Sequence, residues 1–421
     1  MLVICFGVNH KTAELSLREK FALSPTQLDN KLRELFEKFP AAEFLLLSTC
    51  NRTELYIIRS LHGHPRNEEV TEFFSAMTGL EQSAFAESLY VLQDSEAVAQ
   101  MFAVAAGLDS MVPGESQIVS QLKQALAAAQ RLQVARANMT TLVAEALHVA
   151  KHVRSETGIA QGKVSVASVA LELIANRFKT LAGMTVLSVG AGKMNEIILQ
   201  TLRTMLPSEL LITNRSPEKA TELAESCGGK IVPFEALAEL VGRSDIIITS
   251  TASQSPIITC DMLASLPPKE RLFVDMAVPR DIQADAELLD GVELYNIDDL
   301  NGTVSQTLDE RFKHVEQAEK IVVAHVKKFM QSSNMREVTP AIEALYARMD
   351  EIIEEELQRA AVKLASHPDN TEDMEIIKAS LWRAFRKFCH PAAENLRKAS
   401  AAKTAAAQAK ILKQLFDLNC E

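Results

Sequence analysis

The stretch "EFLLLSTCNRTELYII" (43–58) places a thiol between two apolar, strand-like runs, in a knot of Ser48, Thr49, Cys50, Asn51 and Arg52. Free cysteine is among the most buried residue types, so packing is one use for it. Nucleophilic attack is the other. An ordinary thiol is only a few per cent thiolate at neutral pH, and nearby cations or oriented N–H groups increase that fraction. Arg52 is such a cation if the turn folds it back. On residue type alone both uses stay open. The other cysteines lack this setting: Cys5 sits in a strand, Cys227 precedes a Gly-Gly turn, and Cys260, Cys389 and Cys420 lie in or beside helical stretches. No C-x-x-C pair occurs, which argues against a zinc ribbon or a redox dithiol. His10, just after the first strand, is a second candidate for the site. His62 and His64 read as a solvated loop. His148 and His152 read as core or surface positions, because no H-E-x-x-H motif accompanies them.

A second chemical signal is "SVGAGKMNE" (188–196), which follows an apolar strand and opens a helix. Gly190 and Gly192 fit the first two positions of G-x-G-x-x-G, and Asn195 replaces the third. The first glycine permits a tight turn, and the second lets the backbone approach a pyrophosphate at the helix N-terminus. NAD sites carry an acidic residue at the end of the next strand, whereas NADP sites place an arginine there. Here "LLIT" ends in Asn214, Arg215 and Ser216, with Lys219 one turn on, so NADPH is the expected cofactor.

These groups need scaffolds, and the chain changes texture twice. Residues 2–92 read β-α-β-β-α-β, the split ferredoxin-like unit. Its strands are "LVICFGV", "EFLLLS", "TELYII" and "SLYVL". Its helices are 25–39, opened by Ser24 as N-cap and Pro25 at N1, and "NEEVTEFFSAM". Helices rich in Ala, Leu and Gln fill 94–156, broken by the loop "GLDSMVPGESQ" (107–117). From about 160 strands and helices alternate as in a doubly wound parallel sheet. From about 303 the pattern is helical. Leu308, Phe312, Val315, Glu319, Val322, Val326 and Phe329 form a coiled-coil-like seam, apolar except at Glu319. A new helix is expected at Thr339 as N-cap with Pro340 at N1. The division is therefore 1–156, 160–302 and 303–421. The 421 residues are 47% apolar, enough for several cores. No run approaches the roughly 20 apolar residues of a membrane helix, and the N-terminus lacks a signal-peptide pattern. The scattered thiols fit a cytoplasmic protein. Net charge is −11, so contact with nucleic acid must use local basic patches. From 376 onward nine Lys/Arg face three Asp/Glu, and Lys123, Arg131, Arg136, Lys151 and Arg154 mark the N-terminal helices.

Taken together, "GVNHKTAELSLREKFAL", "LSTCNRTELY", "AAGLDSMVPGESQI", "VGAGKMNE", "NRS" and "DMAVPRDI", in this order, make the chain resemble the glutamyl-tRNA reductases over essentially its whole length. The resemblance implies three domains along a long spinal helix: a catalytic, glutamyl-tRNA-binding domain, a Rossmann-type NADP-binding domain and an all-helical dimerisation domain. It implies an α/β multidomain enzyme of the first step of tetrapyrrole synthesis. In that reaction a cysteine thiolate takes the glutamyl group from glutamyl-tRNA(Glu) as a thioester, and hydride from NADPH releases glutamate-1-semialdehyde. Carried over, the nucleophile is Cys50. Thr49, Asn51, Arg52, Ser110, Glu115, Ser116, Gln117 and Gln121 match the substrate-binding residues, with Arg52 the expected bidentate partner of the substrate carboxylate. Gly190, Ala191, Gly192, Lys193, Met194 and Asn195 match the cofactor turn, completed by Asn214, Arg215 and Ser216. A homodimer through the C-terminal helices and a transient contact with glutamate-1-semialdehyde aminomutase are also implied. The chain departs from the pattern at Gln100, where many relatives carry histidine, and at Pro113 and Ser116, where leucine and proline are usual. A plain NADP-dependent dehydrogenase of a small metabolite would leave the "STCNR" turn and the helical third unexplained; a non-enzymatic RNA-binding or scaffold protein that kept a nucleotide-binding fold is a third reading, supported by the basic C-terminal stretch.

Overall fold

The computed structural model describes residues 2–60, 63–111, 114–115, 117–160, 166–302, 307–364, 371–399 and 405–418. Two compact units emerge, Leu2–Val323 and Ala324–Glu421.

The first sheet comes from strands whose inner residues are almost all apolar. β1 (Leu2–Asn9) is followed by α1 (Leu15–Phe21) and α2 (Pro25–Lys38), then β2 (Glu43–Ser48) and β3 (Arg52–Arg59), then α3 (Asn67–Thr78) and β4 (Tyr90–Gln93). The order is β2-β3-β1-β4 and every neighbouring pair is antiparallel, as a ferredoxin-like unit requires. Helix α2 starts where expected: the Ser24 hydroxyl accepts from the Gln27 amide in a capping box, with Pro25 in the first turn. Helix α1 was not foreseen. It has two turns and no side-chain cap at Glu14, so no start signal marks it. Glycine at position 7 is required by packing, since a Cβ there would meet the Tyr90 ring at 2.7 Å and the Glu54 side chain at 2.8 Å. Behind the sheet lie α4 (Ser95–Ala106), α5 (Gln117–Arg131) and α6 (Ala137–Glu156), with buried Ala, Val, Leu and Met facing one another.

The second sheet follows α7 (Val166–Arg177). It is built from β5 (Thr185–Val189), α8 (Lys193–Leu202), β6 (Glu209–Thr213), α9 (Pro217–Cys227), β7 (Lys230–Ile231), α10 (Leu237–Arg243), β8 (Ile246–Thr249), α11 (Cys260–Ala264), β9 (Arg271–Asp275), β10 (Val292–Asn296) and α12 (Ile297–Gly302). All pairs are parallel, in the order β10-β9-β8-β5-β6-β7. The strand order reverses between β5 and β8, the switch point where open α/β sheets bind ligands.

Helix α13 (Thr307–Leu364) is continuous, which corrects the expected restart at Thr339. Proline removes one N–H and crowds the preceding turn, but it does not have to end a helix whose buried stripe continues past it. Here Val338, Ala341, Ile342, Leu345, Met349, Ile353 and Leu357 form that stripe. They pack against Cys389, Ala393 and Leu396 of α14 (Thr371–Ala399) and Ala409 and Leu412 of α15 (Ala405–Leu415). Upstream on α13, Ala318, Val322, Val326 and Phe329 are buried and Glu319 is exposed, so Ala318 takes the seam position expected at Glu319. The side chains of Leu308 and Phe312 lie outside the described residues, as does Cys420.

Candidate active site

The thiol turn is closed by its own polar residues. The Thr49 amide donates to the Arg52 carbonyl at 2.8 Å, and the Thr49 hydroxyl accepts from the amides of Asn51 and Arg52, both at 3.2 Å. The His10 amide donates to the Asn51 carbonyl at 2.9 Å. Cys50 is thereby held at the tip, half-buried, against the hydrophobic core of the second sheet.

Arg52 does not fold back toward the sulfur. Its side chain is 2% exposed, and Nη1 donates to Glu54 at 2.9 Å and Asp109 at 2.7 Å, while Nη2 donates to the Asp109 carbonyl. Tyr56 and Tyr90 donate to Glu54 at 2.7 and 2.6 Å, and Gln100 bridges Glu54 and Asp109 at 2.9 Å each. Burial would raise the Asp109 carboxyl, but Arg52, Lys11 and Gln100 pull it down to about 2. The guanidinium fork is thus already paired inside the protein. Arg52 was expected to pair with a substrate carboxylate; here it pairs with Glu54 and Asp109 and also lines the cavity at the thiol. His10 lies beside this network rather than in the cavity wall. Burial, then Arg52, holds its imidazole neutral, down to about 4.

The cation that reaches the thiol turn is Arg18, which no sequence motif singled out. It is 3% exposed. Nη1 donates to the Cys50 carbonyl at 3.0 Å, Nε to the Ala13 carbonyl at 3.2 Å, and Nη2 to both Asp298 carboxylate oxygens at 2.5 and 2.6 Å. Asp298 belongs to α12, so this contact joins the two sheets. Burial, then the charge of Glu115, pushes the Cys50 thiol up to about 12, against the pull of Arg18 and Arg52. At rest the sulfur is protonated.

Thr49, Cys50, Asn51, Arg52, Ser110, Glu115, Gln117 and Gln121 line one cavity of about 190 Å³, whose other wall is Met194, Ser250, Thr251, Met276, Ala277 and Val278 of the second sheet. Ser116 and Pro113 lie outside the described residues. Ala191, Gly192, Asn214, Arg215, Ser216 and Lys219 line a neighbouring groove that shares Ser250 and Thr251 with the cavity. Of the expected cofactor turn, Met194 faces the thiol side and Asn195 faces neither. Asn195 is fully buried, and its amide donates to Ser188 Oγ at 3.0 Å, the Val189 carbonyl at 3.2 Å and the Gly190 carbonyl at 2.8 Å. It knots the turn from inside. Lys193 opens α8, and its side chain lies outside the described residues. Arg215 stacks over Phe234 at 5.5 Å. The Ser216 hydroxyl already donates to Glu218 at 2.7 Å.

The two glycines of the turn differ. Gly190 has φ +102°, and a Cβ there would sit 2.5 Å from the Ser250 carbonyl oxygen, so the fold itself demands glycine. Gly192 has φ −81° and is exposed, and a Cβ there would meet nothing closer than 3.8 Å. The fold itself does not demand glycine there, and the position caps a helix N-terminus, a setting suited to phosphate.

The N-terminal domain model of glutamyl-tRNA(Glu) reductase matches residues 6–157, a shikimate/quinate 5-dehydrogenase model 172–303, and the dimerisation domain model of glutamyl-tRNA(Glu) reductase 317–418. A glutamyl-tRNA reductase of Thiobacillus denitrificans is 35% identical over 425 residues, the full length of both chains. The chain belongs to the glutamyl-tRNA reductase family. A second member, from Chloroflexus aurantiacus, is 34% identical over 98% of each chain. The solved glutamyl-tRNA reductase of Methanopyrus kandleri covers 99% of both chains at 28% identity with a TM-score of 0.54. The family is one of oxidoreductases, and the dehydrogenase-like fold of the second sheet suggests a nicotinamide cofactor.

Two outcomes follow. Gly190→Ala should lower the thermal unfolding temperature, while Gly192→Ala should leave it unchanged and weaken dinucleotide binding by about tenfold, roughly 1.4 kcal/mol. Equal effects of the two variants on stability would contradict the distinction. Alkylation of Cys50, followed by peptide mapping, should rise steadily with pH through about pH 9, where an ordinary thiol is already levelling off. Glu115→Gln should move that curve to lower pH, because it removes a charge that keeps the thiol protonated. An unmoved curve would rule out Glu115 as a cause.

Proposed function

We propose that this chain reduces glutamyl-tRNA(Glu) to glutamate-1-semialdehyde with NADPH, through a glutamyl thioester on Cys50. It would thereby supply the first step of tetrapyrrole (5-aminolevulinate, porphyrin) synthesis in the cytoplasm. The observation that carries this reading is the shared wall: Ser250 and Thr251 border both the thiol cavity and the groove over the glycine turn.

Cys50 sulfur attacks the carbonyl carbon of the aminoacyl ester, the ester oxygen departs with the thiol proton as the ribose hydroxyl of tRNA, and a thioester remains. The thiol, protonated at rest, has to lose its proton first. The α-ammonium of an aminoacyl ester is a cation that Glu115 can meet. Cancelling the Glu115 charge removes one of the two causes that hold the thiol up. Bound NADPH would supply hydride to the thioester carbonyl carbon; a proton is taken up, the carbon–sulfur bond breaks, and aldehyde and Cys50 thiol are formed. A free carboxylate would not accept hydride in this way. Gly190, Ala191, Gly192 and the start of α8 would hold the pyrophosphate. Arg215, with Lys219, favours a 2′-phosphate over a bare ribose. Ser110, Gln117, Gln121 and Asn51 are left to bind the glutamyl group, with Arg52 holding their wall in place.

In this reading residues 1–156 carry acyl transfer, 160–302 bind the cofactor, and 303–421 form the spine and dimer contact. A second copy would cover Ile376, Phe388, Ile411 and Leu415, exposed apolar residues of α14 and α15. The basic run after 376 suits contact with tRNA phosphates. Handover of the aldehyde to glutamate-1-semialdehyde aminomutase completes the proposal. No described helix is long and apolar enough to cross a membrane.

Incubating the full chain with labelled glutamyl-tRNA and no NADPH should leave label on the Cys50 peptide and slowly release free glutamate, since water also attacks a thioester. Cys50→Ser should lose the adduct and nearly all aldehyde formation. Normal aldehyde formation by Cys50→Ser would overturn the mechanism.

A further inference from the structure

Two adjacent residues of α1 reach from the first sheet to the second with opposite charge. Arg18 binds Asp298, as described above. Glu19 accepts three hydrogen bonds from a single residue, Arg280: the backbone amide at 2.7 Å and Nε at 2.8 Å on Oε1, and Nη2 at 2.9 Å on Oε2. Both side chains are mostly buried, at 17% and 22% exposure. Such a bidentate, partly desolvated pair fixes geometry more firmly than a surface ion pair does.

What Arg280 is attached to gives the pair its meaning. Met276, Ala277 and Val278, just before it, form part of the cavity wall facing the thiol. Asp281, just after it, accepts from the Thr251 amide at 2.8 Å and from the Thr251 hydroxyl. Thr251 borders both the thiol cavity and the cofactor groove. The contacts therefore run without a gap from α1 through Glu19 and Arg280–Asp281 to Thr251. Neither Glu19 nor Arg280 lines the cavity.

We propose that Glu19 and Arg280 are positioning residues for hydride transfer: the pair holds the 276–281 segment and Thr251 in register with the thiol turn, and acyl transfer does not need it. This rests on the proposed two-step reaction. The groups assigned above to thioester formation all lie within residues 1–156. The second step needs a carbon on the Cys50 side to meet a donor held by the second sheet, and a displacement of about 1 Å can cost on the order of a hundredfold in such a step. A misaligned thioester is still open to water, so loss of register should divert glutamate from aldehyde to hydrolysis.

The test uses the full chain and charged glutamyl-tRNA. For the wild type, Glu19→Gln, Glu19→Arg, Arg280→Glu and the swapped Glu19→Arg/Arg280→Glu pair, one measures glutamate release without NADPH and the aldehyde-to-glutamate ratio with saturating NADPH. Both charge reversals should keep ester cleavage within about twofold and lower the ratio by about tenfold or more, with Glu19→Gln in between. The swapped pair should recover most of the ratio, as expected for a direct interaction. Ester cleavage in the same sample reports that each variant is folded. An unchanged ratio, equal loss of both steps, or a selective loss that the swap fails to recover would overturn the pair's role. A wild type that releases neither product would overturn the functional reading itself, and the pair's role with it.

Discussion

Arg18 is a buried guanidinium bound on three sides: the Cys50 carbonyl, the Ala13 carbonyl and the Asp298 carboxylate. A charge removed from water in this way is tolerable only while its partners stay in place. One side chain therefore ties the position of the thiol turn to the position of the second sheet. The cavity exists because of that tie, since half its wall comes from each sheet. Leu15, one turn earlier on α1, is buried in the core of the second sheet and works in the same direction.

The same burial sets the chemistry of the sulfur. A thiol pressed against an apolar core and facing a carboxylate stays protonated, which protects it from adventitious electrophiles. In the proposed reaction the aminoacyl ester would already be activated, so a strong base would matter less than the arrival of the right charge. Arg52 contributes at one remove. With Glu54, Asp109, Gln100 and two tyrosines it forms a nearly dry network behind the turn, and the network keeps Asp109 ionised. Gln100 takes part as an amide that donates to two carboxylates at once.

The sheets were legible in the sequence because their signals are local. Alternation and apolar runs marked the strands around Cys50, the Ser24–Pro25 start marked α2, and the glycine turn between strand and helix marked the switch point of the parallel sheet. Position in the cavity was legible for Thr49, Cys50, Asn51, Ser110, Glu115, Gln117 and Gln121, which sit on two short segments. What failed depends on contacts between distant segments. The helix running through Pro340 is sustained by packing on α14 and α15. Asn195 looked like a weakened glycine motif but is the inner tie of the turn. Arg52 looked like the cation beside the thiol, whereas Asp109, 57 positions later, takes its fork. Arg18 lies inside the motif "GVNHKTAELSLREKFAL", but nothing in that stretch marks its role, because its partner lies 280 residues away.

The central proposal is that the thiol cavity and the groove adjoining it at Ser250 and Thr251 bring thioester and hydride donor together. It is tested most directly by isolating the glutamyl-enzyme formed without NADPH, freeing it of tRNA, and adding NADPH that carries deuterium in place of both hydrogens at the nicotinamide C4. The account predicts that the isolated adduct is converted in a single turnover to aldehyde carrying deuterium at its carbonyl carbon, with Cys50 returned as free thiol. Aldehyde without deuterium, or an adduct that only hydrolyses to glutamate when NADPH is added, would contradict it.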